Sequence, residues 1–241
     1  MYDTLRYLLL QIRNEDDPVR QQEVDCFARA LGCQRHQIRV LDLLSAAPSQ
    51  SQLHRVDMVL LGGSGHYYVS GEGDWLDRAL DGMRLLYQLA KPTFASCWGF
   101  QAMAHALGGR VIHDPDRAEL GTQSVQLTTA GRDDPVFGPL GDVFLAQMGH
   151  TDRVVDLPPG TTRLATTERV RNQAFRFDRR PIYCTQFHPE LDRDALIRRV
   201  EVYPEYIRTI TGLSREQFSQ SCQDTPQARA LLPRFVQHVF G

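Results

Sequence analysis

The stretch Lys91-Pro92-Thr93-Phe94-Ala95-Ser96-Cys97-Trp98-Gly99-Phe100-Gln101 joins a short apolar strand to the start of a helix, with one cysteine at the bend. A small residue after the bend lets the helix begin at once. Such an elbow projects the thiol out of the chain. The amides that open the helix favour the thiolate and offer a donor to a developing oxyanion. A second segment, Tyr183-Cys184-Thr185-Gln186-Phe187-His188-Pro189-Glu190, reads as an apolar strand ending in a histidine and a carboxylate. Alternation puts positions 188 and 190 on the same side of an extended chain. Cys97, His188 and Glu190 together supply a nucleophile, a base and a group to orient the base.

Working outward from the elbow, Leu5 to Ile12 is a largely apolar run closed by Asn14-Glu15-Asp16-Asp17-Pro18, as expected of a strand buried on both faces of a parallel sheet. A helical pattern through Val24, Phe27, Ala28 and Leu31 ends at Gly32, and Ile38 to Leu43 reads as the next strand. Met58 to Leu61 runs into Gly62-Gly63-Ser64-Gly65, and Trp75, Leu76, Ala79, Leu80, Met83, Leu86 and Leu89 mark a helix with an apolar face. The alternation predicts an α/β fold with a doubly wound, mostly parallel sheet whose functional loops gather at the carboxyl ends of the strands.

After Leu107-Gly108-Gly109 the pattern changes to short segments at Ser124–Thr128, Val143–Gln147, Arg163–Thr167, Ala174–Phe177 and Ile182–Gln186. These predict an added antiparallel segment, as a layer or as an extension of the sheet edge. Beyond Leu191 the chain reads as helical, with Ala195 to Thr211 and Pro226 to Phe240 as candidates and Leu213-Ser214 as a start signal. Residues 1–241 are read as one domain, with a core over about 1–191 and a helical C-terminal extension over about 192–241 that packs on it.

Composition narrows the functional classes. The chain has 241 residues, 42% of them hydrophobic, and a formal net charge of −2, so no basic footprint points to nucleic acid or to an acidic membrane surface. Lys91 is the only lysine, which excludes a lysine-dependent phosphate loop. Cys26, Cys33, Cys97, Cys184 and Cys222 lack Cys-x-x-Cys spacing, and His36, His54, His105, His113 and His238 show no metal spacing. Neither a disulfide framework nor a metal site is expected. Met1 to Asp17 has no basic start, signal-length apolar run or small-residue cleavage site, and no stretch approaches the length of a membrane span. A soluble cytoplasmic protein with free thiols is the expectation.

The two motifs resemble those of the class I glutamine amidotransferases, Gly-x-Cys-x-Gly-x-Gln after a Pro-led strand and Gln-Phe-His-Pro-Glu. Here they stand as Ala95-Ser96-Cys97-Trp98-Gly99-Phe100-Gln101 and Gln186-Phe187-His188-Pro189-Glu190, with only the first glycine replaced. The likeness runs to about Leu191 and is nearest to the GMP synthase type, through Gly149-His150-Thr151-Asp152 and Asn172-Gln173-Ala174-Phe175-Arg176-Phe177. It implies a flavodoxin-like sheet and a glutamine amidotransferase activity. Cys97 would attack the side-chain amide of glutamine, His188 would move protons, and Glu190 would hold its imidazole. It further implies an oxyanion hole from the amides of Gly63 and Trp98, and substrate binding by Gln101, His150, Thr151 and Asp152. Gly149 and Thr151 depart from the family's Ser-His-Gly-Asp, and Thr151 brings a side chain where the family often has none. That bears on whether the substrate is glutamine or a larger γ-glutamyl compound.

The mechanism needs no metal or organic cofactor. The chain carries no synthase of its own, so the ammonia acceptor would sit on a separate synthase chain. The alternative is a free-standing cysteine hydrolase or peptidase of γ-glutamyl compounds with the same triad. More ordinary readings stand beside these: a glycine-pair turn at Gly62-Gly63, a turn pair at His150 and Asp152, and a polar surface residue at Gln101. His66, Tyr67 and Tyr68 are candidates for the pocket mouth or ordinary surface aromatics.

Overall fold

The computed structural model describes residues 4–241; the first three residues of the predicted domain lie outside the described residues. The first half of the chain alternates strand and helix: β1 (Tyr7–Ile12), α1 (Val19–Leu31), β2 (Ile38–Asp42), α2 (Gln50–His54), β3 (Met58–Ser64), α3 (Asp74–Gln88), β4 (Thr93–Ser96) and α4 (Trp98–Ala106). Strands then dominate, with β5 (Arg110–His113), β6 (Glu119–Leu127), the short α5 (Thr129–Asp133), β7 (Val143–His150), β8 (Asp152–Asp156), β9 (Thr161–Thr166), β10 (Ala174–Phe177) and β11 (Ile182–Thr185). The tail is helical: α6 (Arg193–Glu201), α7 (Pro204–Tyr206), α8 (Arg215–Ser221), α9 (Pro226–Arg229) and α10 (Leu231–Phe240).

Among the described residues one nine-stranded sheet runs in the order β2-β1-β3-β4-β11-β10-β9-β6-β7. The five strands from β2 to β11 are parallel. From β11 onward each neighbour is antiparallel, so the added segment extends the sheet edge. The parallel part has the flavodoxin-like order, in which the carboxyl ends of the central strands open onto a crevice. A second, two-stranded sheet pairs β5 with β8. Its strands are short and partly exposed, and their sequences carry little alternation to betray them.

Period-two alternation explains the burial on both faces. Leu9, Leu60 and Phe94 point into one core with Phe27 and Phe235, while Leu8, Leu10, Leu61 and Ala95 point into the other with Met83 and Leu86. Trp75, at the start of the same helix, is only partly buried. Helix α1 stops at Gly32, whose φ of 66° lets the next amide, that of Cys33, return to the carbonyl of Ala28 at 3.0 Å. At the far end of the chain α10 buries Leu231, Leu232, Phe235 and Val236, and the Phe235 ring meets Phe94 edge-on at 5.5 Å. Each buried side chain of this size contributes about 1.5–3 kcal/mol.

The expected helix from Ala195 to Thr211 is not continuous. It starts earlier, with Asp192 capping the amide of Ala195, and breaks at Tyr203 (φ −126°, ψ 63°). Pro204 has no N–H to continue the helix and its ring disfavours helical geometry at the residue before it. The short α7 follows, then a π-helical turn over Ile207–Thr211. Ser214 does start the next helix, accepting from the amide of Gln217. These tail elements close a third cluster in which Leu196, Val200, Ile207 and Phe218 pack on Cys26 and Leu120. The α6–α7 part of the tail thereby reaches the cavity beside the elbow, while α10 packs on the face of the sheet.

Candidate active site

Strands β4 and β11 are parallel neighbours in register, with Ala95 opposite Cys184 and Ser96 opposite Thr185. Cys97 continues that ladder by one bond, its amide donating to the Thr185 carbonyl at 2.8 Å. The chain then turns abruptly: Cys97 has φ 52° and ψ −104°, a conformation that L-residues rarely adopt and that a firm surround must hold. Gly99 makes the turn possible, since a β-carbon there would meet Cβ of Leu61 at 2.4 Å. The Sγ of Cys97 lies 3.5 Å from the carbonyl oxygen of Gly149, and Trp98 opens α4, where first-turn amides have no helical acceptor.

His188 follows β11 and is 4% exposed. Its Nδ1 lies 2.7 Å from Oε1 of Glu190, which is itself buried. That oxygen also accepts from Nη1 of Arg199 at 3.3 Å, and the other carboxylate oxygen lies 3.2 Å from Oγ of Ser96. Burial alone would lower the His188 pKa, but the Glu190 carboxylate and Cys97 together outweigh it and raise it to about 9. Burial would likewise raise Glu190, yet His188 and Arg199 bring it down to about 2. Each partner thus favours the charged form of the other.

Gly63 lies at the end of β3. A β-carbon on it would come within 3.0 Å of Cε1 of His188 and 3.8 Å of Cβ of Cys97, so any side chain here would press on the histidine ring. Its carbonyl accepts from Nη2 of Arg13 at 3.4 Å. Arg13 is fully buried and forks onto Glu23, with a further contact to Asp17, and Tyr203 donates to Asp17 at 2.7 Å. A β-carbon on Gly62 would meet Glu23 Oε1 at 2.3 Å, so the glycine pair makes room for a buried ion pair on one side and for the histidine on the other.

A cavity of about 90 Å³ opens beside these groups, and Cys97, Trp98, Gly63 and His188 line it. All four residues assigned to substrate binding by resemblance reach it: Gln101, His150, Thr151 and Asp152. Their side chains are largely engaged within the protein. Gln101 donates to the Asp152 carbonyl and to Gln186, His150 sits between the Asp152 carbonyl and Glu119, and Asp152 holds His113 and the amide of Ser70. Tyr67 and Tyr68 also line the cavity, whereas His66 packs edge-on against Tyr203. Tyr68 stands between His113 and the hydroxyl of Tyr206.

Five residues of this neighbourhood are not singled out by the sequence: Arg13, Ser96, Arg199, Tyr203 and Tyr206. Arg13 follows a strand that is plain in the sequence, and an arginine directly after an apolar run buried on both faces is its one signal. Arg199, Tyr203 and Tyr206 lie on the tail and reach the elbow only through the fold. Among the described residues no group of three or more histidine, cysteine or acidic side chains is arranged to hold a metal, and no helix is long and apolar enough to cross a membrane.

Residues 23–195 match the family model for Glutamine amidotransferase class-I. The chain is 30% identical over 156 residues to a glutamine-hydrolyzing GMP synthase subunit of Archaeoglobus fulgidus, covering 65% of this chain and 77% of that one. It is 27% identical over 168 residues to Gamma-glutamyl peptidase 3 of Arabidopsis thaliana, covering 68% and 65%. Against the GMP synthases of Clostridium novyi and Bordetella avium it spans only 20% and 24% of their length. The crystal structure of a glutamine amidotransferase from Thermotoga maritima shares the fold, with a TM-score of 0.76 over 97% of both chains at 20% identity. By its motifs, its sheet order and the extent of the family match, the chain belongs to the class I glutamine amidotransferases.

Proposed function

We propose that this protein hydrolyses the side-chain amide of glutamine to glutamate and ammonia through a thioester on Cys97. The thiolate forms a C–S bond with the amide carbon while the oxyanion is met by the amides of Gly63 and Trp98. His188 gives a proton to the departing nitrogen as the C–N bond breaks. It then takes a proton from water, which attacks the thioester; the C–S bond breaks, glutamate leaves with its new γ-carboxyl group and the Cys97 thiolate is restored. Glu190 keeps the imidazole in position, and Gln101, His150, Thr151 and Asp152 hold the glutamyl end. No cofactor is required.

The observation that carries this reading is the junction of β4 and β11, which puts a cysteine in a strained elbow beside a buried His188–Glu190 pair. Likeness to a GMP synthase that is built from separate chains supports delivery of the ammonia to a partner synthase in the cytoplasm, and residues 1–241 are taken as one domain. A second reading, a free-standing hydrolase of γ-glutamyl compounds, is favoured by the Thr151 side chain in the cavity lining and by the likeness to a γ-glutamyl peptidase. The deciding assay follows ammonia, glutamate and free amine from glutamine and from γ-glutamyl dipeptides, with Cys97→Ala as control. Release that persists in Cys97→Ala overturns both readings. Release from dipeptides alone selects the second.

A further inference from the structure

Glu119 is a buried acid that the reaction as proposed leaves unused. It opens β6 directly opposite His150, the last residue of β7, so the two side chains stand on one face of the sheet where cross-strand partners meet. Its Oε2 lies 3.1 Å from Nε2 of His150 and also accepts from the side-chain amide of Gln173. Its Oε1 accepts from the hydroxyl of Thr167 at 2.8 Å. Among the described residues no arginine or lysine pairs with Glu119, which leaves His150 as its counter-charge. Buried pairs of this kind seldom stabilise a fold better than apolar residues of the same size. What this one does is hold a ring.

The ring of His150 has no free nitrogen. Nδ1 lies 3.0 Å from the Asp152 carbonyl, which can only accept, so that nitrogen carries a proton. Nε2 shares a proton with Glu119. Neither nitrogen is left for a ligand, so the part His150 plays in holding the glutamyl end is to set the turn on which it sits.

That turn touches the reacting group at one end, where the Gly149 carbonyl oxygen lies 3.5 Å from Sγ of Cys97. At the other end the Asp152 carbonyl accepts from Nε2 of Gln101 at 3.0 Å as well as from His150. Thr151, between them, lines the cavity. On the far side of Glu119, the backbone carbonyl of Gln173 accepts from the amide of Gln186 at 2.8 Å, two residues before His188. One carboxylate thereby links the turn to the segment that leads to the base.

We propose that Glu119 is a positioning residue of this site: by holding the His150 ring it fixes the 149–152 turn at the spacing from Cys97 that a γ-glutamyl group requires. The inference rests on the reading that this turn holds the glutamyl end of the substrate.

The test compares two reagents at Cys97, the chloroketone analogue of glutamine, which needs the turn, and iodoacetamide, which reads the thiol alone. The preference is the ratio of their labelling rates, set against the same ratio for N-acetylcysteine. The intact protein should favour the chloroketone. In Glu119→Ala that preference should fall at least roughly tenfold while the iodoacetamide rate changes little. Glu119→Gln keeps the shape of the side chain without its charge and should lie between the two. Thr167→Val removes one support of the carboxylate and leaves it on His150; it should lower the melting temperature and leave the preference in place, which a merely structural role for Glu119 would not allow. An unchanged preference in Glu119→Ala, or an equal loss in Thr167→Val, overturns the proposal while leaving the nucleophile at Cys97 standing. Should Glu119→Ala not fold, an unchanged preference in Glu119→Gln overturns it likewise. An intact protein with no preference above that of N-acetylcysteine removes the glutamyl reading of the turn, and the proposal with it.

Discussion

Nη1 of Arg199 and Nδ1 of His188 share a single acceptor, Oε1 of Glu190, at 3.3 and 2.7 Å. One carboxylate thus orients the base and anchors a cation from a helix that follows it in the chain. Arg199 is a positioning residue in that sense.

The pH dependence of stability follows from this sharing. His188 is held above its ordinary value of 6.5, so its contribution is complete below about pH 6.5 and lost as pH rises through about 9. Glu190 is held below 4.5, so its contribution is complete above about pH 4.5 and lost as pH falls through about 2. The difference in melting temperature between the protein and Glu190→Gln should be largest between about pH 4.5 and 6.5 and should shrink toward pH 10. A difference that grows with alkalinity would contradict the pairing.

His188→Ala should lower turnover at least roughly a hundredfold, because the side chain itself transfers protons. Glu190→Gln should retain more activity, since the carboxylate only orients and stabilises the ring. Steady-state rates on any substrate the protein accepts decide the order. Equal losses would mean that Glu190 does more than orient.

Cys97 should be the thiol that a glutamine-like electrophile labels first. Burial pushes Cys26, Cys33, Cys184 and Cys222 upward, Cys33 to about 11, and none of these sits at an elbow. Peptide mapping after brief labelling reads this directly. Label found mainly on any of the other four would remove Cys97 from its assigned role.

Two glycines near the elbow should fail in different ways. Gly63→Ala presses on the His188 ring, which must give by a few tenths of an ångström, and should lower the rate by up to roughly tenfold with little change in melting temperature. Gly99→Ala drives its methyl against Leu61 in a packed core and should cost about 1–3 kcal/mol of stability. Thermal melts set beside rates for the two variants separate the effects.

Glu23→Ala should destabilise by about 3–5 kcal/mol, because it strips the main partner from a fully buried arginine. Denaturant unfolding measures it. A loss under about 1 kcal/mol would mean that Asp17 alone suffices for Arg13.

What the sequence discloses follows from the range of the forces involved. The parallel half of the sheet is legible because runs such as Tyr7–Ile12 are apolar but for Gln11, and the elbow because strand, cysteine and helix are contiguous. The break at Tyr203 is legible in principle through Pro204 but is masked by the apolar spacing on either side. Arg13, Arg199 and Tyr203 are not legible. Arg13 and Tyr203 are 190 positions apart, and their contact depends on where the tail docks. The pairing of β5 with β8 is hidden for the same reason, since each strand is short and its partner lies some forty residues away.

The register of β4 on β11 has a consequence for how such a protein diversifies. Nucleophile and base are tied to one another through backbone hydrogen bonds, which no side-chain change in a loop can loosen. The remaining cavity wall comes from the tail, through Val200, Tyr203 and Tyr206, and from the segment after β3, through Tyr67 and Tyr68. These stretches lie outside that ladder, so their side chains can change what the cavity accepts while the bond from Cys97 to β11 stays in place.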